Sequence, residues 1–262
     1  MELVALLTGN LERFLLVLFR VSGIMASAPF WGSSVMIPQV RIALALVLAV
    51  VVTPLLHGTY LPAGGTGTSL LLSIFLELAV GLLIGFVGTL VFVGVQFAGH
   101  LVGTDLGITL ASVIDPISNE QSSVVGQFYF LLAMFVFLAM EGPYLILSAL
   151  FSSFAAIPCA GLGYPERLVQ EVGIKMCAQI FVTGLQLAAP VMVALFLTTV
   201  ALGLLGRAVP ETNIFSVGFS VRIGVGFVMM VASLPLVVAF MRYLFLLMNG
   251  NLQILIRAVS HG

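Results

Sequence analysis

Residues 70–103 read LLLSIFLELAVGLLIGFVGTLVFVGVQFAGHLVG, and Glu77 is the only Asp, Glu, Lys or Arg among them. A helix that crosses a bilayer needs roughly 20 consecutive apolar residues, and this run is considerably longer. It therefore predicts a membrane helix with enough length to tilt, bend or double back.

Six further apolar runs surround this segment. They cover residues 3–28, 42–56, 124–140, 144–157, 176–206 and 214–248. Across the 262 residues, 61% are hydrophobic and 7% are charged. Soluble domains carry about 25% charged residues, so most of this surface must face lipid or other protein. The sequence predicts an all-α integral membrane protein and argues against a soluble enzyme.

The lengths of the runs are irregular. Residues 42–56 and 144–157 are short for a span, whereas 176–206 and 214–248 are long. Pro190 and Pro235 lie inside the two long runs, and each is expected to kink or break its helix. We therefore expect kinked and re-entrant helical hairpins rather than a bundle of uniform spans.

Part of the first run also resembles a signal peptide, because the apolar stretch from Leu15 to Ile24 precedes Ala26-Ser27-Ala28, which resembles a cleavage site. Acidic residues near the start and Arg20 inside the run are atypical of such a leader. We therefore expect a retained first helix.

Charged residues are few and show no bias between alternate loops. At a bilayer centre, Glu77, Arg222 and Arg242 would each cost about 2.5–3.5 kcal/mol. Packing inside an oligomer explains them better than exposure to lipid. Two interpretations apply to the buried charges as a group: a proton relay, or structural ion pairs between helices or subunits. We favour ion pairs, since no paired spacing is present among Glu77, Asp105, Asp115, Glu141, Arg222 and Arg242.

Several function classes lack support. The net charge of −1 and the absence of a basic stripe argue against a nucleic-acid partner. Catalytic motifs such as H-E-x-x-H, G-x-S-x-G and the P-loop are missing from the sequence. The histidines (His57, His100 and His261) and the cysteines (Cys159 and Cys177) have no ligand spacing. We expect no catalytic residue, metal or cofactor.

Glycines repeat at four-residue spacing along the long run. Gly81 and Gly85 form one G-x-x-x-G, and Gly99, Gly103 and Gly107 continue the step. Small residues on one face allow a second helix to approach closely, and we favour this over chance. The spacing does not distinguish a second helix of this chain from a helix of a partner subunit.

The stretch 103–127 interrupts the apolar pattern. Asp115-Pro116 and several polar residues prevent it from being a spanning helix that faces lipid, because its freed backbone groups would lack partners. A solvated surface loop is one interpretation. Its apolar residues instead favour a buried loop that plugs or lines a pore: Leu106, Ile108, Leu110, Val113 and Ile114.

Four segments are similar to the flagellar biosynthetic protein FliR family. They are FLLVLFRVSGIMASAPFWG (14–32), IPQVRIALAL (37–46), QFAGHLVGTDLGITLASVIDP (96–116) and GLLGRAVPETNIFSVGFSVRI (203–223). The pattern R-x-x-P-x-x-N-x-F-x-x-G-F, which begins at Arg207, is the most specific of them. One departure is visible at residues 141–144, where E-G-P-Y replaces an expected glycine followed by a histidine pair.

The resemblance implies the fold and the partners. FliR-like proteins form the core export gate of the flagellar type III secretion apparatus, with one FliR-like chain and several FliP-like and FliQ-like subunits. Residues 1–175 would then be a FliP-like helical part and 176–262 a FliQ-like helical hairpin, together one continuous structural unit. Contacts with neighbouring subunits, beside a capped helix break, are implied for Arg207, Pro210, Asn213 and Phe215.

The resemblance also implies a mechanism and a location. The segment 106–122 would plug the channel, with the turn set by Asp115 and Pro116, and unfolded flagellar proteins would pass through it once it opened. The assembly would lie in the bacterial inner membrane at the flagellar basal body, displaced toward the periplasm, beside other export-apparatus membrane proteins and lipid. The alternatives are the equivalent subunit of a virulence injectisome, a small-solute or proton-coupled transporter and, more weakly, an intramembrane enzyme.

Overall fold

The computed structural model describes residues 2–32, 36–56, 67–108, 123–156, 174–208 and 214–260, and these contain helices and turns but no strand. The all-α prediction is therefore confirmed for this part of the chain. The helices are α1 (Glu2–Ser27), α2 (Pro38–Val52), α3 (Gly67–Asp105), α4 (Val124–Ala139), α5 (Gly142–Ala156), α6 (Ile174–Ala208) and α7 (Ile214–Ser260), with a 3₁₀ turn at Thr53–Leu55 after α2.

Within the described ranges, four helical segments are long and apolar enough to cross a membrane. They are Pro38–Leu55, Leu70–Asp105, Ala178–Ala208 and Val217–Met248, and α4 with α5 would add a fifth if they form one broken span. Helices satisfy their backbone hydrogen bonds internally, which is the condition for crossing hydrocarbon. The chain is thus a helical membrane protein.

The long apolar runs form continuous helices. Residues 70–103 lie in the single helix α3 and do not double back. Helices α6 and α7 continue through Pro190 and Pro235, so the predicted alternative of a break at these prolines is wrong. Each proline removes one backbone donor, and helices of 35 and 47 residues retain the remaining hydrogen bonds.

The chain divides into two compact units. Unit 1 comprises Met1–Leu90, Glu141–Met176 and Phe245–Gly262, and unit 2 comprises Val91–Met140 and Cys177–Leu244. The division between a FliP-like part and a FliQ-like hairpin at residues 175 and 176 stays a prediction.

In unit 1, α1 runs parallel to the first half of α3. Arg20 contacts Glu77, and further along both helices the Ser27 hydroxyl donates to the Leu82 carbonyl at 3.0 Å. Beyond these, the Thr89 hydroxyl donates to the Ser27 carbonyl at 2.5 Å. Parallel neighbours need a connection that returns along the chain, and α2, which packs on α1, lies within that connection.

In unit 2, α6 and α7 form an antiparallel hairpin. Arg222 bonds to Thr199, and one turn further along α7 Gly226 faces Leu195, which lies one turn earlier on α6. The second half of α3 packs beside α6, where the aromatic rings of Phe97 and Phe181 meet edge to face at 5.5 Å between centroids. This arrangement positions the end of α3 over the hairpin.

Candidate functional site

A fully buried ion pair links α1 to α3 in unit 1. Arg20 Nε donates to Glu77 Oε2 at 2.5 Å, and both side chains have 0% exposure. The guanidinium also approaches the Ser153 hydroxyl at 3.5 Å and lies 4.3 Å from the centre of the Phe154 ring, both on α5. One cluster therefore holds three helices together while its two charges compensate each other away from water.

This geometry favours structural pairing over a proton relay for Glu77. A relay needs successive groups that gain and release protons, whereas the guanidinium of Arg20 stays protonated. In the sequence, Arg20 only interrupts the first apolar run, and its pairing with Glu77 was not predicted. The available signal was the opposite sign of two charges that each lie deep inside an apolar run.

The predicted glycine face of α3 begins with Gly81 and Gly85, which the structure places against α1. A Cβ on Gly81 would overlap the carbonyl oxygen of Arg20 and lie 3.1 Å from the Gly23 Cα. A Cβ on Gly85 would overlap the Ser27 hydroxyl. These two glycines thus lie at a close helix crossing within the chain.

The other glycines of this face lie in unit 2. A Cβ on Gly99 would be 2.6 Å from the Cα of Gly126 on α4, so this is a second close crossing. Gly103 is buried. Gly107 has a φ of 80°, the left-handed conformation that favours glycine after the last turn of a helix. It ends α3 at the start of the proposed plug.

Leu106 fixes the point where the proposed plug leaves α3. Its side chain is fully buried against Gly226 of α7, where a Cβ would overlap the leucine Cδ2. Ile108 is half-buried. Gly226 was not predicted, because one glycine on a long apolar helix carries no partner information. Five predicted plug residues lie outside the described residues: Leu110, Val113, Ile114, Asp115 and Pro116.

The second predicted group lies around the connection between α6 and α7. Arg207 is exposed in the last turn of α6, and Phe215 lies in the first turn of α7. Pro210 and Asn213 fall outside the described residues. The grouping of these four residues therefore stays a prediction.

The remaining charges of the relay interpretation differ in exposure, and Asp105 and Arg222 line one groove on unit 2. Arg242 and Glu141 are exposed, Asp105 and Arg222 are half-buried, and Asp115 lies outside the described residues. Nε and Nη2 of Arg222 donate to the Thr199 hydroxyl at 3.1 Å and 2.6 Å. Within the described ranges, no group of three or more His, Cys, Asp or Glu residues could hold a metal ion.

Large apolar side chains cover much of the outer surface. Val47 and Val50 on α2 are 59% and 61% exposed, Phe196 on α6 is 66% exposed and Val231 on α7 is 71% exposed. In the most apolar 18-residue stretch of α6, and likewise of α7, only 22% of the residues are buried inside the chain. Such surfaces need lipid or partner subunits to remove them from water.

Comparisons with known proteins give one family. The family model described as "Bacterial export proteins, family 1" matches residues 11–248. The flagellar biosynthetic protein FliR of Bacillus subtilis (strain 168) is 29% identical over 249 residues, which cover 94% of this chain and 95% of that protein. The FliR of Escherichia coli (strain K12) is 29% identical over 87% of this chain and 86% of that protein. The FliR of Aquifex aeolicus (strain VF5) is 26% identical over 86% and 88%.

Proposed function

Since the chain belongs to the bacterial export proteins, family 1, we propose that it is a structural and gating subunit of the flagellar type III secretion export gate. The match over residues 11–248 carries the proposal, and the relatives above are flagellar biosynthetic proteins. In this role the chain forms part of a protein-conducting channel and seals it, and neither task needs a catalytic group.

The assembly is a hetero-oligomer of one copy of this chain with several FliP-like and FliQ-like subunits. Residues 1–175 take the FliP-like role and 176–262 the FliQ-like role, to which the antiparallel pairing of α6 and α7 lends support. The exposed apolar faces of α2, α6 and α7 supply surfaces for partners and lipid. The complex lies in the inner membrane at the flagellar basal body, displaced toward the periplasm.

The gate is the segment 106–122. Leu106 is seated on Gly226, so the segment starts from a fixed point over the α6–α7 hairpin. Its apolar side chains Leu110, Val113 and Ile114 seal the closed channel by excluding water, as hydrophobic gates do. An unfolded flagellar protein displaces the segment when it enters.

Replacing Leu110, Val113 and Ile114 together with serine is expected to make the assembled gate leak. Three hydroxyls at the constriction would hydrate it and remove the barrier to ions. The measurement is dye or ion efflux from vesicles that contain the assembled complex. Leu106 is left unchanged, so that its contact with Gly226 survives.

The matched control replaces Ser118, Asn119 and Gln121 of the same segment with alanine. These substitutions change three neighbouring side chains without adding polarity, and the vesicles should stay sealed. If the serine variant is as tight as this control, the segment is not the seal.

Co-purification tests the proposed function itself. The chain is expressed with the FliP-like and FliQ-like proteins of the same bacterium, isolated through a tag on this chain and weighed as an intact complex. We expect one copy of this chain with several copies of each partner. A stable complex with injectisome proteins in place of the flagellar ones would move the chain to that branch. Purification as a monomer or homo-oligomer would favour a transporter.

A further inference from the structure

An apolar groove of about 440 Å³ opens on the surface of unit 2 along α6. Five residues on one face of α6 line it: Leu185, Ala189, Met192, Val193 and Phe196. Their spacing follows the helical repeat, and Thr199 continues the same face. At 1.5 Å per residue, the lining from Leu185 to Thr199 extends about 21 Å.

The polar residues of the groove gather at one end. Thr199 lies there with Arg222 of α7 and Asp105 of α3. Asp105 belongs to this end because its neighbour Leu106 meets Gly226, one turn from Arg222. Asp105 is also the last residue of its span on α3, and Arg222 lies about one and a half turns after Val217, where the span of α7 begins, so both charged residues lie toward the ends of their spans.

Arg222 is held in place and still has hydrogen-bonding capacity. Two of its nitrogens donate to the Thr199 hydroxyl, which itself donates to the Leu195 carbonyl at 2.8 Å. A guanidinium has five N–H donors, so three remain after these two bonds. In the described part of the chain, no ion pair joins Arg222 to Asp105.

We propose that this groove binds one zwitterionic phospholipid, whose acyl chain lies along α6 and whose phosphate and ammonium groups meet Arg222 and Asp105. Guanidinium groups bind phosphate through paired N–H bonds, and a carboxylate complements an ammonium group. One cation and one anion at the same end of an apolar groove match that headgroup better than a purely anionic one.

The length of the groove also fits a lipid. The hydrocarbon core of a bilayer is about 30 Å thick, so a single leaflet contributes about 15 Å. The apolar part of the lining, from Leu185 to Phe196, extends about 16.5 Å and therefore accommodates one acyl chain with its glycerol end beside the polar residues. One lipid molecule supplies the acyl chain, the phosphate and the ammonium group together, and for this reason we favour lipid as the occupant.

The test measures which lipids stay bound to the full-length chain. The chain is incubated with vesicles of equal parts phosphatidylethanolamine and phosphatidylglycerol, transferred to mild detergent and analysed by native mass spectrometry. The wild type should retain phosphatidylethanolamine in preference. Arg222→Gln should reduce retention of both lipids about tenfold, since a hydrogen bond to a charged group contributes roughly 1.5–3 kcal/mol.

Asp105→Asn separates the two halves of the headgroup. It keeps the phosphate contact and removes the partner of the ammonium group, so the preference for phosphatidylethanolamine should disappear while total lipid is retained. Arg242→Gln is the matched control, because Arg242 is an exposed arginine on the same helix and does not line the groove. It should retain lipid like the wild type.

A photoactivatable acyl chain on phosphatidylethanolamine gives a second readout that needs no variant. It should crosslink the wild-type chain at Met192 or Phe196. Crosslinks only elsewhere, or equal retention by Arg222→Gln and Arg242→Gln, would overturn the proposal. A photoreactive group at Phe196 that captures a co-expressed partner helix, with no lipid retained, would assign the groove to that partner instead.

Discussion

Replacing Glu77 with alanine is expected to lower the free energy of unfolding by about 3–5 kcal/mol. The substitution removes the carboxylate that accepts from the fully buried guanidinium of Arg20, while the Ser153 hydroxyl and the Phe154 ring stay beside that guanidinium. A denaturant titration in detergent can follow the fluorescence of Trp31, the only tryptophan of the chain. That ring is buried in unit 1 and packs edge to face on Phe30.

The double variant Arg20→Met, Glu77→Leu shows whether the loss of stability comes from removing only one charge of the pair. Removing both charges together restores an apolar contact, and such replacements are often neutral or stabilising by about 1–4 kcal/mol. Arg242→Met removes an exposed arginine and should change stability by no more than about 0.5 kcal/mol. A double variant as unstable as Glu77→Ala would show that the cluster contributes through its shape rather than through its charges.

The helices themselves were predictable because the membrane limits the choices. A long apolar segment must satisfy its backbone groups internally, so length and composition alone identify a helix. The apolar run at 124–140 corresponds to α4, which covers Val124–Ala139. The run at 214–248 lies in α7, which begins at Ile214 as expected. The end of α7 was not predicted, since Asn249, Gly250 and Asn251 resemble a stop. The helix continues to Ser260, because a glycine weakens a helix by only about 1 kcal/mol.

The pairings between helices were not predictable from one sequence. Arg20 and Glu77 are 57 residues apart, and nothing in either apolar run identifies the other. The four-residue glycine spacing indicated that a helix approaches α3, but it did not indicate which helix. The structure places α1 at Gly81 and Gly85, and α4 at Gly99. Spacing defines a face, whereas the partner follows from the arrangement of the whole chain.

Alanine is expected to have opposite effects at two helical glycines. At Gly81 the new Cβ would overlap the Arg20 carbonyl oxygen, a backbone atom that cannot rotate away. Helices α1 and α3 would have to separate, and overpacking of this kind costs roughly 1–3 kcal/mol. At Gly203 a Cβ meets nothing within 4 Å. Alanine there should stabilise α6 by up to about 1 kcal/mol, since it is the better helix former. Far-UV circular dichroism during the same titration measures both changes, because Gly81 lies in unit 1 and Gly203 in unit 2.

The same substitution also tests whether the crossing and the ion pair act together. Glu77 lies one turn before Gly81, so separating α1 from α3 at Gly81 also draws the carboxylate away from Arg20. Gly81→Ala should therefore cost less in the background Arg20→Met, Glu77→Leu, where no buried charge can lose its partner. An equal cost in both backgrounds would make the crossing and the ion pair independent. If Gly203→Ala lowers the free energy of unfolding as much as Gly81→Ala does, the close approach of α1 is not the reason for glycine at position 81.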